Sequence, residues 1–141
     1  KRQGLDCFIL HANDKDKEFK DKRLENASLC GGMFSGHGNG SFRGGVYENF
    51  VTWLMEMHDP DCVEHTWHIE PGEHIQSDTL ELYGKLIRNY LEILHEDNPS
   101  LQAEDVVLEA EYGGYYVREL EDLALVFEVA AENKCIMEAW W

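Results

Sequence analysis

Apolar residues recur with a helical period in three segments of the chain. Residues 46–57, about 77–96 and about 119–133 each place apolar side chains three or four positions apart, which is the spacing of one buried helix face. Asp78 and Glu81 have the spacing of a capping box at the start of the second segment, and Asn98-Pro99 stops it. Three amphipathic helices are therefore predicted. Their apolar faces comprise, in chain order, Val46, Tyr47, Phe50, Trp53, Leu54 and Met57; Leu80, Tyr83, Ile87, Tyr90, Leu91 and Leu94; and Leu120, Leu123, Ala124, Phe127 and Ala130.

Other segments alternate apolar and polar residues or form short apolar runs, and both patterns are typical of strands. Strands are predicted for residues 5–10, 62–70, 106–112, 115–117 and 135–141. Gly113-Gly114 between two of them predicts a hairpin with a two-residue turn. Residues 11–26 are polar with mixed charge, which predicts a solvated helix or a loop held by Phe19 and Leu24.

The order of these elements predicts the fold class. Helices and strands neither alternate strictly nor segregate, which favours an α+β fold: a mostly antiparallel sheet packed against two or three helices as a single layer pair. A chain of 141 residues without a repeat or a linker is expected to form one domain, residues 1–141, with residues 1–30 partly mobile or peripheral. The paired Trp140 and Trp141 are expected to pack against this domain, with a dimer contact as the alternative.

The charge of the chain is strongly asymmetric. Residues 1–45 contain eight Lys and Arg against six Asp and Glu, whereas residues 46–141 contain four against 22, which gives the formal net charge of −16. Such a field repels nucleic-acid phosphate and anionic membranes and favours a basic protein partner, although acidity that only maintains solubility is the simpler interpretation. No apolar run is long enough to span a membrane. We therefore expect a soluble cytoplasmic protein that binds neither nucleic acid nor membrane directly.

The four cysteines are Cys7, Cys30, Cys62 and Cys135, and they lie far apart without a CxxC pair. This spacing does not support a zinc ribbon or a redox motif and favours reduced, partly buried thiols. Cys30, with His37 as its base, is the candidate nucleophile, but no spacing indicates that these two side chains lie close together. A small buried thiol is the expected role of Cys30.

A glycine-rich loop, residues 35–45, precedes the first predicted helix. Backbone N–H groups in such a loop, together with the positive end of a helix, can hold an anion. His37, Asn39, Ser41 and Arg43 are the candidate ligand-binding side chains. The spacing matches no known phosphate-binding motif, so a surface loop in which Arg43 pairs with a carboxylate is the alternative.

A group of side chains that can bind metals occurs around the predicted strand 62–70. His65 and His68 would point to opposite faces of a strand, so that only His68, Glu70 and His74 could converge on one ion. This metal site is the weaker alternative to a packed His65 with the other side chains in solvent. No metal and no cofactor are therefore predicted.

The acidic side chains of the last third of the chain form a candidate partner-binding surface. Glu109 and Glu111 lie on the polar face of the predicted hairpin, and Glu119, Glu121 and Asp122 lie in the first turn of the last helix. We therefore expect a small acidic interaction protein that self-associates as a homodimer or binds a basic protein partner. A small-anion binder or an enzyme that uses the loop 35–45 is the alternative, and whether the chain is an enzyme stays open.

Overall fold

A three-stranded antiparallel sheet brings the two end regions of the chain together. The structure, a computed structural model, describes residues 6–14, 19–27, 29, 41–61, 73–108 and 113–140. In the sheet, β1 (Asp6–His11) lies between β2 (Ser41–Arg43) and β5 (Cys135–Trp140). Strand β1 pairs with β5 over its full length, from Asp6 opposite Trp140 to His11 opposite Cys135. A separate two-stranded ladder joins β3 (Val106–Val107) to β4 (Tyr115–Tyr116).

Three α-helices lie within the described residues. They are α1 (Glu48–His58), α2 (Ser77–Asp97) and α3 (Val117–Glu132). The two longer helices, α2 and α3, pack against each other, and both contact β5. The structure is therefore α+β with antiparallel sheets and three helices, which confirms the predicted fold class.

The helix ends differ from the predicted ones by local backbone geometry. Residues Gly44–Val46 form a 3-10 turn, so that α1 begins at Glu48 rather than at position 46. Helix α2 extends over the predicted segment and one residue further. Helix α3 begins at Val117, ahead of the predicted start near residue 119. The N–H of Tyr116, just before the helix, donates a hydrogen bond of 3.4 Å to the Glu119 carboxylate.

The predicted two-residue hairpin turn is wrong. Val107 is the partner of Tyr115 and Val106 is the partner of Tyr116, so the connection comprises residues 108–114. Gly113 and Gly114 both have φ near +85°, a conformation that side chains with a Cβ rarely adopt. The glycines therefore serve a longer loop instead of closing the hairpin by themselves.

Aromatic and aliphatic side chains from all three helices form the core. The rings of Tyr83 and Phe127 meet edge-on with their centroids 5.3 Å apart, which joins α2 to α3. Phe50 of α1 contacts Tyr90 of α2 at 5.6 Å. Full burial of a Phe side chain stabilises a fold by about 1.5–3 kcal/mol. The Phe50–Tyr90 contact holds α1 against α2 beside the groove described below.

Several predictions concern residues outside the described ones. They are the strand 62–70, most of the glycine loop, and the side chains of Trp140 and Trp141. Within residues 11–26, the described Phe19 and Leu24 are both buried, and residues Lys22–Leu24 form a 3-10 turn. The single-domain boundaries stay a prediction. Among the described helices, none has the length and hydropathy of a membrane-spanning segment.

Candidate functional site

The described part of the glycine loop lies in strand β2. Ser41 is buried opposite Phe8, and Arg43 is exposed with its Nε 3.6 Å from a carboxylate oxygen of Asp6. The other two candidate residues, His37 and Asn39, lie outside the described residues. The anion site stays a prediction, while the ion pair of Arg43 has the form expected for the alternative, a surface loop.

A histidine and a carboxylate meet where residue 75 bridges to β5. The Nε2 of His74 lies 3.2 Å from Oε2 of Glu138, and both side chains are largely buried. The predicted partners His68 and Glu70 lie outside the described residues. Over the part of the chain that the structure describes, no three His, Cys, Asp or Glu side chains come close enough to share a metal ion. The pair with Glu138 was not predicted, because strand β5 brings Glu138 to residue 74 from a distant part of the sequence.

The acidic side chains at the start of α3 make contacts within the fold. Glu119 accepts a hydrogen bond from the hydroxyl of the fully buried Tyr47 as well as from the Tyr116 N–H. Glu121 and Asp122 are half-buried. Hydrogen bonds from Arg88 to the Glu128 carboxylate raise the pKa of Arg88, and the negative charges of Glu121 and Asp122 raise it further. Glu109 and Glu111 lie outside the described residues. The partner-binding role of all five acids stays a prediction.

Two cysteines among the described residues are free thiols in the sheet. Cys7 is fully buried, and its burial together with the nearby carboxylates of Glu48 and Asp6 raises the pKa of its thiol. Burial raises the pKa of the Cys135 thiol to about 11. Both thiols are therefore protonated at neutral pH and poor nucleophiles.

A shallow apolar groove lies between α1 and α2, and we call it the α1/α2 groove. Its volume is about 200 Å³. Its walls comprise Leu54, Met57 and His58 of α1 and Leu86, Asn89, Tyr90 and Ile93 of α2. Met57 is 62% exposed and Ile93 is 56% exposed, so both walls of the groove present a large apolar side chain to solvent.

Acidic residues outnumber basic ones on the two segments that form the α1/α2 groove. Residues 48–61 contain four acidic residues and no Lys or Arg, and α2 contains five acidic residues against two basic ones. Asp59 and Asp61 follow directly after the groove residue His58 and are exposed. On α2, Glu92 and Glu96 are exposed beside Ile93. The apolar floor is thus flanked by negative charge.

No sequence pattern predicted this groove. Met57 was assigned to a buried face, because its spacing continues that of Phe50 and Leu54, but its side chain is 62% exposed. Ile93 fell outside the predicted buried face of α2. An isoleucine at an outward position of an otherwise well-patterned helix is the signal that could have indicated the site.

No protein-family model, no curated protein and no solved structure matches the chain. Its function is therefore inferred from the geometry of the described residues.

Proposed function

We propose that this chain is a protein-interaction domain whose α1/α2 groove binds an apolar side chain presented by a basic protein partner. The observation that supports this proposal is the apolar groove with Met57 and Ile93 exposed on its two walls and acidic side chains around it. The partner is the basic protein expected from the charge of the chain, and the α1/α2 groove is its proposed binding site.

The size of the groove favours a side chain over a small molecule. Pockets that bind small molecules enclose about 300–1,000 Å³ and bury most of the ligand. The α1/α2 groove encloses about 200 Å³ and opens along one side. Such a depression is suited to one anchoring side chain of a larger partner, with the surrounding contacts supplied by the partner's surface.

The charge around the groove favours a basic partner over a second copy of the chain. A symmetric dimer through the groove would turn one acidic surface onto an identical one, because residues 48–61 and α2 together carry nine acidic residues against two Lys and Arg. Like charges in an interface oppose association, whereas Lys or Arg side chains would pair with these carboxylates. A heterologous basic partner is therefore the occupant that matches the surface.

The proposal is tested with synthetic peptides, since the partner itself is unidentified. The probe is a fluorescently labelled helical peptide of about 16 residues with Leu along one face and Lys elsewhere. Two comparison peptides replace either every Leu by Gln or every Lys by Glu. We expect measurable binding of the Leu/Lys peptide by fluorescence anisotropy and at least tenfold weaker binding of both comparison peptides, a difference of about 1.4 kcal/mol.

Variants of the protein separate groove binding from general attraction by its charge. We expect I93A to weaken binding of the Leu/Lys peptide about tenfold, because it removes three apolar groups, each worth up to about 0.8 kcal/mol when buried. The matched control is V106A, because Val106 is similarly exposed at 47% but lies on β3, outside the groove. Equal losses for I93A and V106A, or equal binding of the Gln peptide, would refute the groove as the site.

The acidic flank is tested in the same assay. Replacement of Glu92 and Glu96 by Gln should weaken binding and reduce its dependence on salt, because their attraction to Lys is screened by ions. E56Q is the control, since Glu56 is exposed on α1 about 160° around the helix from Leu54. A stable dimer in sedimentation equilibrium that I93A dissociates would show instead that a second copy occupies the groove.

A further inference from the structure

One of the residues that line the α1/α2 groove belongs to a cluster of aromatic rings. The ring of Tyr90 meets those of Phe50 and Trp53 with a centroid distance of 5.6 Å in both cases, at interplanar angles of 64° and 86°. These are edge-to-face contacts, in which the positive edge of one ring meets the negative face of another. Tyr90 is only partly buried, so this cluster reaches the surface of the protein at the groove.

A thioether and an imidazole ring line the groove on the side of α1. Met57 is 62% exposed, so its thioether is accessible to a ligand from solvent. His58, the next residue, is also exposed. A methionine sulfur makes favourable contacts with aromatic rings at about 5 Å, often at the ring edge. Both sides of the groove therefore carry groups that interact more favourably with a ring than with an aliphatic chain.

The volume of the groove also suits a ring. An apolar cavity of about 150 Å³ is large enough to bind benzene. The α1/α2 groove encloses about 200 Å³. A Leu side chain is smaller than the benzyl group of Phe and would cover less of the apolar walls, so it would make fewer van der Waals contacts there.

We infer that the anchor bound by the α1/α2 groove is an aromatic side chain, with its ring against the Tyr90 ring and the Met57 thioether. This inference rests on the proposed function, which requires an apolar anchor but leaves its kind open. A ring in this place would extend the cluster of Tyr90, Phe50 and Trp53 by one member. It would also gain a sulfur contact specific to rings. The partner is then a basic segment with an aromatic residue at the centre of its contact surface, where binding energy is usually concentrated.

The kind of anchor is tested with three peptides that differ at one position. The central Leu of the Leu/Lys peptide is kept, or is replaced by Phe or by cyclohexylalanine, whose saturated ring is similar in size to that of Phe but has no π-electrons. We expect the Phe peptide to bind about fivefold more tightly than the cyclohexylalanine peptide and about tenfold more tightly than the Leu peptide. If the cyclohexylalanine peptide binds as tightly as the Phe peptide, the groove selects by size alone and the inference is wrong.

Two methionine variants locate the ring. M57L removes the thioether but keeps an apolar side chain of similar volume, so it should reduce the ratio between the Phe and cyclohexylalanine peptides to about twofold. M55L is the matched control, because Met55 lies on the same helix but does not line the groove. It should leave the ratio at about fivefold. A ratio that M57L leaves unchanged would overturn the inferred position of the ring.

NMR of methionine methyl groups reports the position of the ring directly. The ring current of a bound Phe should move the Met57 methyl signal upfield, whereas the cyclohexylalanine peptide should leave it nearly in place. The signal of the fully buried Met137 should not respond to either peptide. A Met57 signal that the Phe peptide leaves unmoved at saturation would show that the ring binds elsewhere.

The failure of the aromatic anchor can be told apart from the failure of the groove. If all three peptides bind equally and I93A weakens all of them, the groove binds any apolar anchor, and only the further inference is wrong. If I93A weakens none of them, the proposed function is wrong, and the aromatic anchor is refuted with it.

Discussion

Helix α2 lies close to α3 at a glycine, and this contact gives a sharp prediction. A Cβ placed on Gly84 would lie 3.0 Å from Cγ of Glu128 and 3.4 Å from the carbonyl oxygen of Ala124. Glu128 is not free to move away, because its two carboxylate oxygens accept hydrogen bonds from Nε and Nη2 of Arg88 at 3.0 and 2.9 Å. In G84A, the higher helix propensity of alanine is therefore opposed by the steric contact with Glu128, which its hydrogen bonds to Arg88 hold in place.

The opposing contributions are of similar size. Alanine in place of an interior helix glycine favours folding by about 1 kcal/mol. Displacing Glu128 costs up to about 1 kcal/mol of a half-exposed ion pair, and an off-rotamer side chain costs about 0.5–1.5 kcal/mol. G84A alone should therefore change the free energy of unfolding by less than about 0.5 kcal/mol. In an E128A background the obstruction is gone, and G84A should stabilise the fold by about 1 kcal/mol.

Urea unfolding of the four variants of this cycle, followed by circular dichroism, measures the coupling between the two positions. We expect about 1 kcal/mol, within the range of residues in direct contact. R88A serves as a second background, because it releases the Glu128 carboxylate while keeping the side chain. If G84A stabilises the parent protein and the E128A variant equally, the helices do not approach at this glycine as closely as the structure shows.

Two further predictions concern titratable groups. Burial raises the pKa of Cys135 to about 11 and also raises that of Cys7. Iodoacetamide should therefore alkylate both thiols about a hundredfold more slowly at pH 8 in the folded protein than in urea, as measured by mass spectrometry. Fast labelling of the folded chain would contradict their burial. Hydrogen bonds from Arg23 lower the pKa of Asp21 from 3.8 to about 2, so NMR titration should show a midpoint near that value. Because the folded-state pKa is lowered, the stability difference between the protein and D21N should be complete above pH 4 and disappear as the pH falls through about 2. A stability difference independent of pH would exclude this pairing.

Much of the fold could be predicted because its information is local. The segment from residue 77 to 96 carries a complete apolar stripe and a Pro stop, and α2 occupies Ser77–Asp97. The predicted capping box was wrong, because the N-cap residue is Gln76, without a side-chain cap, and Asp78 lies inside the first turn. The hairpin turn was predicted wrongly, because Gly113-Gly114 satisfies the local rule for a short turn. The pairing of Val107 with Tyr115 depends on how α3 and the preceding loop are held: the N–H of Val117 donates to Asp105, and the N–H of Arg118 donates to Ala103.

The candidate site could not be predicted from the sequence, since it depends on how α1 and α2 pack against each other. The periodicity of residues 46–57 shows which side of α1 is apolar, but the length over which a neighbour covers that side depends on the crossing of α1 and α2. Phe50 is fully buried, whereas Met57, two turns later on the same face, is 62% exposed. The same limit applies to His74 and Glu138, which β5 brings together across 64 positions of sequence.

The net charge and the α1/α2 groove are best understood together. An exposed apolar patch normally promotes association between copies of a protein, and Ile93 and Met57 contribute little to folding while they face water. A net charge of −16 opposes that association, because copies repel one another before their grooves can meet. The same field lowers the energy of an approaching cationic segment and raises its rate of encounter. Under the proposed function, the negative field disfavours a second copy or a polyanion at the groove and favours a basic partner, whose apolar side chain is then bound by the apolar floor.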